Sequence, residues 1–249
     1  MVTAILITVR TNSTRLPNKA LLKIMGKETI VYLIDRVKKS KLADKIILCT
    51  TKNKEDDILC KIAKQNSIEY FRGSESDKLE RWNGACKKFN VDFFVTADGD
   101  DLFCEPELID LAFKQQKISQ EDFIESEKTI CGAFTYGIST TALSKVCEIK
   151  DSDNTEMMWV YFKETGLFNI SQLKNIPKEY LRKDIRMTLD YPDDLIFFET
   201  VINNFGKKYF NLKDIVNLID KKPEIGKINL YLEEEWKKNQ ESKIELKIK

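Results

Sequence analysis

The stretch "TAILITVRTNSTRLPNKALLKIMGKETIVYLIDRVKKS", residues 3–40, decides the fold. It opens on "TAILITV" at 3–9, an unbroken apolar and β-branched run of the kind that lies buried on both faces of a sheet. It closes on "ETIVYLIDRVKKS" at 28–40, where Ile30, Val31, Leu33, Ile34 and Val37 keep helical spacing. Strand, polar loop and helix follow one another. The unit then repeats: "DKIILCTT" at 44–51 reads as a strand, "KEDDILCKIAKQNS" at 54–67 as an amphipathic helix, and "IEYFRG" at 68–73 as a strand. "SDKLERWNGACKKFN" at 76–90 reads as a helix and "VDFFVTAD" at 91–98 as a fourth strand. Strands alternating with helices predict an α/β protein with a mostly parallel sheet covered on both faces.

The second half is less regular. Helices are expected at 106–116 and 140–149, no assignment follows for 117–135, and "RMTLDYPDDLIFFETVINNF" at 186–205 reads as a strand, a Pro-marked turn and a long helix. No linker interrupts the chain, so one domain over 1–230 is expected, followed by a charged tail at 231–249 read as a solvated helix or a frayed end.

Composition removes several classes of function. A net charge of +1 gives no basic excess for nucleic acid and points to a small-molecule partner. The chain contains no histidine, which excludes a Ser-His-Asp triad, a histidine base and a histidine metal ligand. Six cysteines stand singly, without a C-x-x-C pair, and read as free thiols of a reducing compartment. The N-terminal run lacks a basic region and a cleavage site, and no apolar stretch has membrane-spanning length, so a cytoplasmic location is expected.

In parallel α/β sheets ligands bind beyond the carboxyl ends of the strands, where the loops at 10–19 and 98–105 emerge. The first, "VRTNSTRLPNKALL" at 9–22, carries Arg10, Arg15 and Lys19, with hydroxyls at Ser13 and Thr14 and Pro17 in the turn. Cations this close repel unless an anion or solvent neutralises them, and a polyphosphate suits the planar fork of Arg and the mobile charge of Lys. Charge content alone reads equally well as solvated surface. Neither a Walker loop nor a Rossmann glycine fingerprint is present.

The run Arg10-x-x-Ser13-Thr14-Arg15-Leu16-Pro17-x-Lys19, with Gly26-Lys27 and Arg36 after it, resembles the N-terminal signature of cytidylyltransferases that make CMP-activated sugars. These are the CMP-Kdo synthetase and spore-coat polysaccharide biosynthesis protein F types. "DKIILCTTKNKEDD" at 44–57 and "YFRGSESDKLERW" at 70–82 agree with it, and the likeness returns at 186–197. One departure is Thr8-Val9, where the family usually has Pro-Ala or Gln-Ala. The resemblance implies a three-layer, Rossmann-like fold of the nucleotide-diphospho-sugar transferase (glycosyltransferase-A-like) kind. It also implies CTP as substrate, Mg²⁺ as cofactor and a homodimer.

The loop "FFVTADGDDLFCEP" at 93–106 offers three carboxylates, Asp98, Asp100 and Asp101. A calcium loop fails, because counting from Asp98 places Phe103 where glycine is required and Ile109 where glutamate is required. Gapless register of "GDDLFCEPE" with the family's G-D-E-P-L-I-P-P-E implies Asp100 as the metal ligand, with Asp98 as a further one. "RMTLDYPDDL" resembles the family's T-V-D-T-P-E-D-L and implies Asp190 as the second carboxylate, with Asp193 or Asp194 left to cap the helix. Two carboxylates plus phosphate and water oxygens suit Mg²⁺.

The same resemblance implies that Arg72, Ser74 and Asp77 border the nucleotide, although Asp77 and Arg81 could equally pair along a helix. Gly137, Glu156 and Arg186 fall in the acceptor half, and Met157 replaces a histidine common in relatives. The implied reaction is transfer of CMP from CTP to a sugar acid or related acceptor, with release of pyrophosphate, in surface polysaccharide or glycoconjugate biosynthesis. Three other readings stay open at this point. They are a glycosyltransferase using Asp98-x-Asp100 with a nucleotide-sugar, CTP-dependent activation of a phosphorylated non-sugar metabolite, and a non-enzymatic nucleotide-binding subunit.

Overall fold

The computed structural model describes all residues, Met1–Lys249. The first half follows the sequence. Strand β1 (Thr3–Thr8) leads through a short hairpin, β2 (Lys23–Ile24) and β3 (Lys27–Glu28), into helix α1 (Thr29–Val37). Then come β4 (Lys45–Thr51), α2 (Asp57–Gln65), β5 (Glu69–Gly73), α3 (Lys78–Phe89), β6 (Phe93–Asp98) and α4 (Pro106–Ser119). The second half adds short strands β7 (Phe123–Glu125) and β8 (Tyr136–Ser139), helices α5 (Thr140–Ile149) and α6 (Val160–Lys163), and β9 (Ile170–Gln172). Helices α7 (Pro192–Phe205), α8 (Leu212–Lys221), α9 (Pro223–Gly226) and α10 (Glu233–Glu241) complete the chain.

Seven strands form one sheet in the order β5-β4-β1-β6-β8-β7-β9. Strands β5, β4, β1 and β6 run parallel, and β8 is antiparallel to β6 and β7. Alternating side chains of the central strands feed two cores, as the period of two requires. Ile5 and Ile7 of β1 join a cluster of 42 buried residues with α1, α2, α4, α7 and α8. Ala4 and Leu6 join a cluster of 19 on the opposite face, with α3, α5 and α6. This three-layer architecture explains why the strands read as continuous apolar runs.

One expected element is absent. Residues 186–190 form no strand: Arg186 makes an isolated bridge to Cys131, and the stretch otherwise bonds to loops. Met187 N–H donates to the carbonyl of Cys131 at 3.0 Å and Leu189 N–H to that of Asp100 at 2.9 Å. The apolar alternation of "RMTLD" therefore records burial between loops, without a ladder partner on either side. The unassigned 117–135 region contains β7, a strand of 3 residues too short to show a period. All six cysteines are free, and no helix is long and apolar enough to cross a membrane.

Candidate active site

β1 and β6 end in register, Thr8 opposite Asp98, so the loops that follow them leave the sheet side by side. Gly99 N–H donates to the carbonyl of Thr8 at 2.8 Å. A Cβ on Gly99 would lie 2.7 Å from the Val9 side chain, so this approach of the two loops needs a residue without one. Asp101 N–H donates to the carbonyl of Asp98, which closes the acidic loop as a turn. Beyond Cys104, Glu105 caps α4, with its carboxylate also taking the Leu212 N–H at 2.9 Å and facing Arg36 at 3.3 Å.

These loops line one side of a cleft of about 760 Å³. On its floor the ammonium of Lys19 lies 2.5 Å from Asp100 and 2.8 Å from Asp190. Arg15 reaches the same Asp190 oxygen, Oδ1, at 2.6 Å. Oδ2 of Asp190 accepts the indole N–H of Trp236 at 2.6 Å. Asp98 pairs with Lys78 at 3.0 Å.

The electrostatics follow from burial and partners. Burial would push the Lys19 ammonium down, but Asp100 and Asp190 together hold it well above the ordinary lysine value. Burial would likewise raise Asp190, and the opposing charges of Lys19 and Arg15 outweigh it, leaving its carboxyl at about 2. Asp100 is displaced upward, by burial first and then by repulsion from Asp190 and Asp98, against the pull of Lys19. Asp101 is raised further, by burial and by Asp100, with Thr188 partly offsetting.

The sequence candidates divide between two places. Arg10, Ser13, Thr14, Arg15, Lys19, Asp98, Asp100 and Asp190 all line the cleft. Arg10 also donates to the carbonyl of Glu75 at 3.1 Å. Arg72, Ser74 and Asp77 are not among the lining residues. Arg72 ties β5 to the 51–57 turn through the Thr51 and Asn53 carbonyls and Asp57. Ser74 accepts from Asp77 N–H. Asp77 caps α3 and pairs with Lys150 at 2.5 Å, not with Arg81. From this segment it is Glu75, Ser76, Lys78 and Arg81 that face the cleft.

Arg186 does not reach the cleft. It is fully buried, paired with Asp194 at 3.0 Å and with Glu233 at 3.0 Å. Asp194 serves as the expected cap of α7. Gly137 sits within β8 against the Phe93 ring, while Glu156 and Met157 line the cleft. Glu156 is held below the usual carboxylate range: burial opposes this, and Lys243, Arg10 and Lys78 outweigh it. Sequence reading missed Lys78 and Trp236. Lys78 was signalled only by lying next to Asp77 at the start of a helix, and Trp236 only by being an indole inside the charged run "EEEWKK".

The donor set suits an oxygen-loving divalent ion. Two carboxylates from distant segments already converge on one cation, the Lys19 ammonium, and no group of three or more Asp, Glu, Cys or His side chains forms a complete protein cage. Mg²⁺ is held in this way, by one or two carboxylates with water and phosphate supplying the rest.

A cation-lined loop facing two carboxylates, at the carboxyl edge of the parallel strands, is the site a nucleotidyltransferase requires, and the family match makes the chain one. The cytidylyltransferase family profile matches residues 4–234, and the chain belongs to that family. It is 32% identical over 227 residues to an uncharacterised protein of Methanocaldococcus jannaschii, covering 90% of this chain and 93% of that protein. It is 22% identical over 227 residues to the spore coat polysaccharide biosynthesis protein SpsF of Bacillus subtilis, covering 88% and 94%. A solved cytidylyltransferase of Leptospira borgpetersenii superposes with a TM-score of 0.82 at 27% identity, covering 90% of this chain and 96% of that one.

Proposed function

We propose that the protein is a Mg²⁺-dependent enzyme that transfers CMP from CTP to a small-molecule acceptor, a sugar acid or a related compound, and releases pyrophosphate. Surface polysaccharide or glycoconjugate biosynthesis is the setting, by analogy with the SpsF relative. A homodimer in the cytoplasm is part of the same reading. The observation that carries it is the convergence of Lys19 and Arg15 with Asp100 and Asp190 at one point of the cleft.

Arg10, Arg15 and Lys19 grip the β- and γ-phosphates, with the Ser13 and Thr14 hydroxyls available to the remaining oxygens. Asp100 and Asp190 are the carboxylates that would hold Mg²⁺, which when bound supplies polarisation of the α-phosphate and a lower pKa for the attacking hydroxyl. The acceptor oxygen forms a bond to the α-phosphorus, the bond from that phosphorus to the bridging oxygen breaks, and the hydroxyl proton leaves to solvent. Pyrophosphate departs against the three cations, which offset part of its charge. No covalent intermediate is required.

The glycosyltransferase reading through Asp98-x-Asp100 is disfavoured by the match of the cytidylyltransferase family over residues 4–234. The deciding experiment is pyrophosphate release from CTP and Mg²⁺ over a panel of 2-keto sugar acids, sugar phosphates and phosphorylated non-sugar metabolites. Thermal shifts with CTP against UDP- and GDP-sugars accompany it, because a ligand that binds only the native state raises its stability. Stabilisation by a nucleotide-sugar but not by CTP would reject the proposal.

A further inference from the structure

Helix α10 carries Glu233 and Trp236 one turn apart, and both engage the segment that bears Asp190. Glu233 meets Arg186 at 3.0 Å, while the Trp236 indole donates to Asp190 Oδ2 at 2.6 Å. Arg186 in turn pairs with Asp194, which accepts the backbone N–H of Asp190 at 2.8 Å and of Tyr191 at 2.9 Å. The guanidinium lies 5.2 Å from the Trp236 ring and 5.9 Å from the Tyr191 ring. One helix thus secures both the backbone and the side chain of Asp190.

The two oxygens of Asp190 have different partners. Oδ1 receives Lys19 and Arg15, the cations of the phosphate loop, and Oδ2 receives Trp236. An indole N–H donates but cannot accept, and it carries no charge. It can therefore fix one oxygen without displacing a cation from the other. We infer that Trp236 is a positioning residue: it sets the rotation of the Asp190 carboxylate so that Oδ1 stays directed at the cation position shared with Asp100.

This inference rests on the reading of Asp190 as a metal carboxylate. Groups that orient a ligand from behind change metal affinity by about 10–100-fold when removed. The charged segment after residue 230, which looked solvated, thereby becomes part of the site.

The chain has 3 tryptophans, so ¹⁵N-labelled protein gives three indole signals, and Trp236→Phe assigns one of them. Titration of Mn²⁺ alone should broaden the Trp236 signal before those of Trp82 and Trp159. Asp190→Asn should remove that order and move the Trp236 signal itself. By calorimetry, Trp236→Phe should weaken Mn²⁺ binding about tenfold, with circular dichroism reporting an intact fold. Lys238→Ala, at an exposed position of the same helix, should leave binding unchanged.

Three results would overturn the inference: an indole signal indifferent to Asp190→Asn, no Mn²⁺ broadening in the wild type, or an equal Trp236→Phe effect in an Asp190→Asn background. The last is the pattern of a merely structural residue. Failure of the proposed function looks different, as no pyrophosphate release from CTP with any acceptor while the Trp236 signal still follows Asp190.

Discussion

The ammonium of Lys19 stands 2.8 Å from Oδ1 of Asp190, although the two residues are 171 positions apart in the chain. Lys19 occupies the point on which two carboxylates converge, and together with Arg15 it offsets their charge. Lys19→Ala should therefore leave Asp100 and Asp190 facing one another with Arg15 as the remaining close cation. The expected cost is about 2 kcal/mol of stability, the scale of a buried polar group that loses its partner. Urea titrations with and without Mg²⁺ check this: the ion should restore part of the loss in the variant and add less to the wild type.

Asp100 and Asp98 should separate sharply in catalysis. Asp100 shares the Lys19 cation with Asp190, whereas Asp98 is committed to Lys78. Asp100→Asn should lower kcat for pyrophosphate release by about 10²–10³, the scale of removing one electrostatic stabiliser of a transition state. Asp98→Asn should cost less than about tenfold. Equal losses at both positions would favour a D-x-D site and a nucleotide-sugar substrate.

The first half of the fold was legible because its physics is local. "TAILIT", "KIILCTT" and "FFVTAD" sit in a sheet buried on both faces, so each strand shows an apolar run, and the intervening helices each show one apolar stripe. The cation loop was legible for the same reason, since Arg10, Arg15 and Lys19 all fall within one segment. Asp190 came from the family resemblance, because its partners Lys19, Arg15 and Trp236 are remote in sequence. The segment at 186–190 misled because burial between loops gives the same alternation as a strand. Asp77, a helix cap bonded to Lys150 and Thr155, cannot be told in sequence from a charge on the cleft-facing helix.

Asp56 should confer a defined acid sensitivity on the phosphate loop. It is buried, and it accepts from Thr11 N–H at 2.8 Å and from the hydroxyls of Thr11, Thr50 and Thr51. Burial alone would raise its pKa, but these hydrogen bonds hold it below the ordinary 3.8. A depressed native pKa stabilises the fold above the unfolded value and loses that contribution as pH falls through the native one. Asp56→Ala should therefore be less stable than wild type at neutral pH by about 1–3 kcal/mol. The difference should shrink once the pH drops below 3.8. Urea unfolding of both proteins across this range gives the comparison, and a gap that stayed constant into acid would contradict the assignment.

Gly132 should prove the least replaceable glycine near the site. Its φ is +81°, and a Cβ there would lie 2.1 Å from the carbonyl oxygen of Met187. That carbonyl belongs to the extended segment leading to Asp190, which is held in place by Met187 N–H bonding to Cys131 and Leu189 N–H bonding to Asp100. Backbone cannot swing aside as a side-chain tip can, so Gly132→Ala must push the 186–190 segment away from the acidic loop. We expect a loss of about 3 kcal/mol or more, together with reduced Mg²⁺-dependent activity, because Asp190 moves with its segment. Gly166 provides the control. Its φ is +69° and an added methyl would meet nothing within 4 Å, so Gly166→Ala carries only the left-handed strain of about 1 kcal/mol. Thermal melts of the two variants should separate clearly, and equal shifts would mean that the Met187 contact relaxes without moving the carboxylate.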